Sequence, residues 1–150
     1  MDNKSRSKCK NTATRLLSRR EHSVSELRRK LLGKGHNRED CDFVAAELVE
    51  LGLLSDLRYA EALFRYKTSR GYGPVRIQLS LDKADVDKSI IDFVIRETDF
   101  DWKQHLCEQI SKKFGEFPAE SFKEWAKRAR FFSNRGFSND LIREVLHYSD

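Results

Sequence analysis

The side chains in this sequence best placed to do chemistry are cations set beside rings. Three stretches, Ser18–Leu27, Thr68–Ile77 and Ser133–Ile142, share one pattern. In each, a basic residue (Arg20, Arg70, Arg135) is followed two positions on by a ring (His22, Tyr72, Phe137), then by a residue favoured at a helix N-cap (Ser23, Gly73, Ser138). The ring falls one place before the cap and an aliphatic residue (Leu27, Ile77, Ile142) falls at the fourth helical position, the spacing of a hydrophobic staple. Ser23 and Glu26 have the spacing of a capping box. Gly71 can supply the left-handed residue that closes a helix. Gly73 can cap the next one, and Pro74 at its first position loses only an amide that had no partner. Cations collected at helix corners suit the binding of anions. Catalysis has no such support: there is no Walker-type phosphate loop, no HExxH, no nucleophile elbow and no carboxylate pair in an apolar setting. Gly71-x-Gly73 follows no strand pattern, so it does not read as a dinucleotide fingerprint, and the sequence argues against an enzyme.

Neither a metal nor a cofactor is expected. Cys9, Cys41 and Cys107 are odd in number and far apart, with no CxxC pair, which fits reduced thiols better than a disulfide frame or a zinc ribbon. His105 and Cys107 lie two apart on an expected helix and so point to different sides. No apolar run approaches the ~18 residues of a membrane span, and Met1–Lys10 holds no signal-peptide core. The expectation is a cytoplasmic monomer that engages no membrane.

The net charge of +5 is distributed in blocks. Residues 1–38 carry +9, 39–57 carry −6, 58–83 carry +4, 84–101 carry −4 and 102–150 carry +2. Such alternation lets basic helices line up toward a polyanion while acidic ones face away or meet a basic protein.

The elements that position these charges read as helices throughout. Periodicity and caps predict helices near 11–19, 24–32, 39–51, 56–70, 74–84, 88–97, 101–114, 119–133 and 139–147. The expected fold is all-α, about nine helices in a tandem array of three three-helix bundles, elongated and curved, with helix-turn-helix or homeodomain-like units. The expected divisions are a flexible basic arm over 1–10 and units over 11–54, 55–99 and 100–150, the third permuted because its last two helices carry the corner chemistry of the first two elsewhere. Asp42-Phe43-Val44 returns as Asp92-Phe93-Val94, which matches the third helices of the first two units. Leu79 falls off the apolar stripe of its helix and is expected to be exposed or to pack on a neighbouring unit. Phe122, Trp125, Ala126, Ala129 and Phe132 keep core spacing, so the aromatic wealth of the last unit is expected to be core.

Arg58-Tyr59-Ala60 followed by Arg70-Gly71-Tyr72-Gly73-Pro74 and Arg76-Ile77 resembles the central signature of the RecX family, bacterial regulators of the RecA recombinase. Ser25-Glu26-Leu27-Arg28-Arg29-Lys30-Leu31, Phe100-Asp101-Trp102, Lys113-Phe114-Gly115-Glu116 and Phe131-Phe132 resemble that family too, so the likeness runs from about Arg15 to Tyr148. Asp85 departs from it: the family usually has Gly there, and the helix before it is expected to end differently. The resemblance implies a protein that acts in homologous recombination, DNA repair and the SOS response. It would bind RecA and the RecA–single-stranded DNA filament, limiting filament extension, ATP hydrolysis, strand exchange and coprotease activity, with weak sequence-independent binding to DNA. The expected contacts are Arg28, Arg29, Lys30 and Lys34 in the first unit, Arg65, Lys67, Arg70 and Arg76 in the second, and Lys127, Arg128 and Arg135 in the third. The rival reading is a DNA-binding protein with tandem helix-turn-helix-like units. A reader of base sequence needs Asn, Gln and Arg together on one recognition face, and 24–32, 74–84 and 139–147 share no such set.

Overall fold

Ser23, Asn37, Asp101, Ser121 and Ser138 each turn a side-chain oxygen onto the amide three residues ahead, and a helix starts after every one of them. The computed structural model describes residues 3–148. Among the described residues there are nine helices and no strand: α1 (Asn3–Arg19), α2 (Val24–Gly33), α3 (Arg38–Glu50), α4 (Asp56–Ser69), α5 (Pro74–Lys83), α6 (Lys88–Arg96), α7 (Trp102–Phe114), α8 (Phe122–Asn134) and α9 (Asn139–Val145). The chain forms two compact units, one of residues up to Ala62 with Leu81–Ile91, the other of Leu63–Ser80 with Asp92 onward.

In the first unit, Cys9 and Ala13 of α1, Leu27 and Leu31 of α2, and Cys41, Val44, Ala45 and Leu48 of α3 close one core with Leu54. Burial pushes the Cys9 thiol up to about 12, so it stays protonated and serves as a small apolar side chain. The segment expected as a flexible arm is helical from Asn3, while Met1 and Asp2 lie outside the described residues. Its order has a cause the apolar pattern could not show. Ser5 donates to the Asp40 carboxylate, Arg6 bonds the same group at 3.2 Å, and the Arg6 guanidinium lies 3.9 Å from the centre of the Phe43 ring. Lys10 pairs with Glu47 at 3.0 Å one turn further on. The bonds from Ser5, Arg6 and Asn37 hold the Asp40 carboxyl below its ordinary range.

The capping box forms only in half. Ser23 Oγ accepts from the Glu26 amide at 3.0 Å, but the Glu26 carboxylate goes to Arg20 at 2.5 Å instead of back to the cap. Asp85 adopts φ 57°, the left-handed conformation that Gly would take without cost. The helix before it therefore ends as α2 does at Gly35: Val86 N–H donates to Leu81 C=O at 3.1 Å, as His36 N–H donates to Leu31 C=O at 3.2 Å. Ser25 Oγ donates to Asp85 Oδ2 at 2.7 Å and anchors the substitute.

In the second unit, Leu106, Phe132, Phe137, Ile142 and Leu146 are buried, with Trp102, Ile110, Phe114, Trp125 and Ala129 packed around them. Helix α8 begins at Phe122, after the Ser121 cap, and not at 119. Phe122 consequently sits in the first turn, 63% exposed, outside the core that its spacing predicts. Leu51, just past the end of α3, is 58% exposed, and Leu79 is 51% exposed, the first of the two outcomes its position allowed.

Candidate polyanion-binding corner

Two of the three repeated turns meet face to face in the second unit. Gly73 N–H donates to Arg135 C=O at 2.8 Å and Val75 N–H to Gly136 C=O at 3.0 Å, so the start of α5 borrows carbonyls from the end of α8. This pairing satisfies amides that no helix start can satisfy internally. It also explains the glycines more fully than their caps do. A Cβ on Gly73 would lie 2.5 Å from the Gly136 oxygen, and one on Gly136, whose φ is +99°, would lie 2.6 Å from the Arg76 backbone nitrogen. Beneath the contact, the buried His105 ring bonds the Tyr72 carbonyl at 3.1 Å, and its burial lowers its pKa, which favours the neutral imidazole. The three staple residues Leu27, Ile77 and Ile142 are all buried, as are His22 and Phe137, while Tyr72 stays partly open.

Three cations gather over the half-buried Tyr72 ring. Lys67 Nζ lies 4.9 Å from its ring centre, the Arg76 guanidinium 5.0 Å and the Arg135 guanidinium 5.1 Å. Arg70 stacks over Tyr66 at 4.8 Å. The electron-rich ring faces offset part of the repulsion that would otherwise spread these charges. Two of the arginines are also pinned by hydrogen bonds, Arg76 Nη1 to Asn134 C=O at 2.7 Å and Arg135 Nη1 to Arg70 C=O at 3.2 Å. Beside this cluster runs a groove of about 300 Å³ lined by Arg70, Arg135, Lys112 and Lys113 with Gln109, Phe131 and Phe132, and by no carboxylate. Lys113 stands 4.7 Å over Phe131. A concave wall with four cations and no acid focuses positive potential and attracts phosphates or carboxylates.

The residues read from sequence as contacts divide into groups. Lys67, Arg70, Arg76 and Arg135 are brought together here. Arg65 is exposed at the preceding turn of α4, without an ion pair among the described residues, as is Lys127 on α8. In the first unit, Arg29 and Lys34 are exposed and unpaired among the described residues, Arg28 pairs with Asp42 at 2.6 Å, and Lys30 is 3.0 Å from His22 Nε2. Arg128 departs from the expected surface contact: it is 8% exposed, donates to Phe117 C=O at 2.9 Å and Glu124 at 2.8 Å, and lies 4.7 Å over Phe114, so its charge holds the connection between α7 and α8. Sequence reasoning missed Lys112 and Lys113. Their signal was a basic pair in the last turn of α7, where cations commonly serve the helix dipole.

Three family models cover most of the chain in order: RecX, first three-helix domain, over residues 9–48, RecX, second three-helix domain, over 55–95, and RecX, third three-helix domain, over 101–146. The chain belongs to the RecX family. Its similarity to the regulatory protein RecX of Pseudomonas fluorescens (strain Pf-5) is 43% identity over 136 residues, 90% of this chain and 87% of that one. To the regulatory protein RecX of Vibrio vulnificus (strain CMCP6) it is 39% over 138 residues, 92% and 90% of the two chains. The crystal structure of RecX from Lactobacillus salivarius superposes with a TM-score of 0.77 at 25% identity, covering 94% of each chain. The fold is thus three tandem three-helix RecX domains, and the family is one of regulatory proteins, not of enzymes. In these terms the paired turns join the second RecX domain to the third, and the basic groove draws Arg70 from one and Lys112, Lys113 and Arg135 from the other. No described helix is long and apolar enough to cross a membrane.

Proposed function

We propose that this protein binds RecA and the filament that RecA forms on single-stranded DNA, and that it restrains filament extension and with it ATP hydrolysis, strand exchange and coprotease activity. The observation that carries the reading is the acid-free groove beside the Tyr72 cluster, in a chain of the RecX family. A nucleoprotein filament offers phosphates along its strand and carboxylates on its protein, and both suit four convergent cations. Contacts of this kind are read by charge and not by base sequence, so binding to bare DNA is weak, falls with salt and shows no preferred duplex site. The protein works as a cytoplasmic monomer, with units over 11–54, 55–99 and 100–150 that turn their exposed cations, Arg29, Lys34, Arg65, Arg70, Arg76 and Lys127, and the half-buried Lys67 and Arg135, toward the filament, and with Arg28 and Lys30 engaged through their present partners.

The test reverses charge where the fold does not depend on it. The Arg65 and Arg70 side chains make no ion pair among the described residues, whereas Arg76 and Arg135 hold the corner together. Arg65→Glu with Arg70→Glu should therefore keep the helical circular dichroism and weaken inhibition of RecA-driven ATP hydrolysis on single-stranded DNA by about tenfold or more, the order expected for opposed charges at a close contact. Unchanged inhibition removes α4 from the contact surface. A wild-type protein that leaves RecA filaments untouched refutes the reading itself.

A further inference from the structure

A cluster of stacked rings at the start of α8 lies partly open to solvent, away from the basic groove. Phe122 is 63% exposed, and its ring stacks on Trp125 with centres 5.8 Å apart and planes inclined by 21°. Tyr148 meets Phe122 edge-on at 6.0 Å. The assembly is fixed from below: Trp125 Nε1–H donates to Leu146 C=O at 2.7 Å, and the Ala119 amide donates to His147 C=O at 3.3 Å. One turn of a helix thus holds a flat ring out to solvent with two other rings supporting it. On the adjoining face, Lys123, Lys127 and Arg130 follow at helical spacing and line one shallow depression with Ser121 and Glu124. None of the three cations has an ion pair among the described residues, Glu124 is neutralised by Arg128 at 2.8 Å, and the remaining nearby carboxylate is Glu120.

We propose that Phe122, seated on Trp125 and Tyr148, is a stacking platform for a base of single-stranded nucleic acid whose phosphates lie along Lys123, Lys127 and Arg130. The proposal rests on the reading that this protein engages a single-stranded DNA filament, and it adds a contact to bases that this reading does not contain. Charge decides for nucleic acid over a protein partner. Protein interface cores are depleted of lysine, whereas single-strand binders combine a basic track with exposed rings, because every base offers a π-face and every nucleotide a phosphate. Stacking on a supported ring needs no particular sequence, which matches a surface without a base-reading set of polar side chains.

The experiment is fluorescence anisotropy with a dye-labelled thymidine 20-mer and an abasic 20-mer of equal charge, at low salt, for wild type, Phe122→Ala and Phe122→Trp. Phe122 is exposed, so neither variant should disturb the fold, and circular dichroism checks this. The expected result is a loss of affinity for the thymidine strand in Phe122→Ala of about fivefold to a hundredfold, in line with one lost stack. Abasic binding should not change, and Phe122→Trp should restore the affinity. Equal binding of the thymidine strand by wild type and Phe122→Ala overturns the platform while leaving the filament reading intact. So does an equal loss for both strands, which would make Phe122 a general support of the surface. A change in self-association or in binding to DNA-free RecA, with thymidine binding unaltered, assigns the rings to a protein interface and overturns it too. Failure of the filament reading has its own signature, a wild-type protein that binds neither strand and inhibits no RecA activity.

Discussion

Gly73→Ala tests the face-to-face pairing of the two turns on which the basic corner depends. The backbone at Gly73 lies outside the left-handed region, so the substitution adds a methyl group without dihedral strain. That methyl would sit 2.5 Å from the Gly136 oxygen, 2.6 Å from its carbonyl carbon and 2.9 Å from the Phe137 ring, and backbone atoms cannot rotate aside. Ordinary contact lies near ~3.5 Å, so the turns must part by roughly 1 Å. The Gly73–Arg135 bond of 2.8 Å would stretch beyond hydrogen-bonding distance, and the Val75–Gly136 bond of 3.0 Å with it. Two lost bonds at about 1 kcal/mol each, with some desolvated groups left unpaired, predict a destabilisation of about 2–3 kcal/mol. Without the pairing the same change would remain within about 1 kcal/mol, because the stiffer unfolded chain and the poorer N-cap act in opposite directions. Urea unfolding followed by far-ultraviolet circular dichroism reads the difference, and hydrogen exchange at the Val75 amide localises it. A shift of less than about 1 kcal/mol, with Val75 protection unchanged, would refute the steric argument.

At Asp85, whose φ is 57°, Asp85→Gly should be more stable than Asp85→Ala by about 1 kcal/mol in urea, since only Gly takes that conformation freely; equal stabilities would mean that the end of α5 does not rely on it. Stability should also fall as the pH drops below about 6.5, the ordinary imidazole value, because burial pushes the pKa of both His22 and His105 down. In that window the unfolded chain takes up protons that the folded one refuses, so the contribution is complete above the unfolded value and declines with acidification toward the folded ones. Glu26 and Asp40 have lowered pKa values and titrate only further into acid. A urea midpoint at pH 5.5 equal to that at pH 7.5 would contradict the burial of the two rings.

Most of the fold was legible because helix ends are local events. A cap, a ring before it and an aliphatic residue after it lie within ten residues, and Ser23, Ser138, Leu27, Ile77 and Ile142 do what their spacing implies. The differences came from partners outside the local window and from one misplaced helix start. Asp40 and Phe43 order the N-terminal helix through Ser5 and Arg6, which look like solvated polar residues when read alone. Arg128 looked like a free cation because nothing in its neighbourhood showed that the Phe117 carbonyl would need a donor. Phe122 looked like core because a period counts residues without knowing where the helix begins.

The same distinction separates two kinds of basic residue at the corner. Arg76 and Arg135 spend hydrogen bonds on Asn134 and Arg70, so their loss should alter folding and binding together. Lys112 and Lys113 line the groove without an ion pair among the described residues. Their replacement should alter binding alone. A charge cluster built this way has a fixed half that positions the surface and a solvated half left open to an anion. The fixed half keeps the cations near one another in the absence of any anion, so less ordering is required of the groove when an anion binds. That is how a turn repeated for helix capping comes to gather charge: the glycines let two copies touch, and their contact brings together arginines that the sequence places far apart.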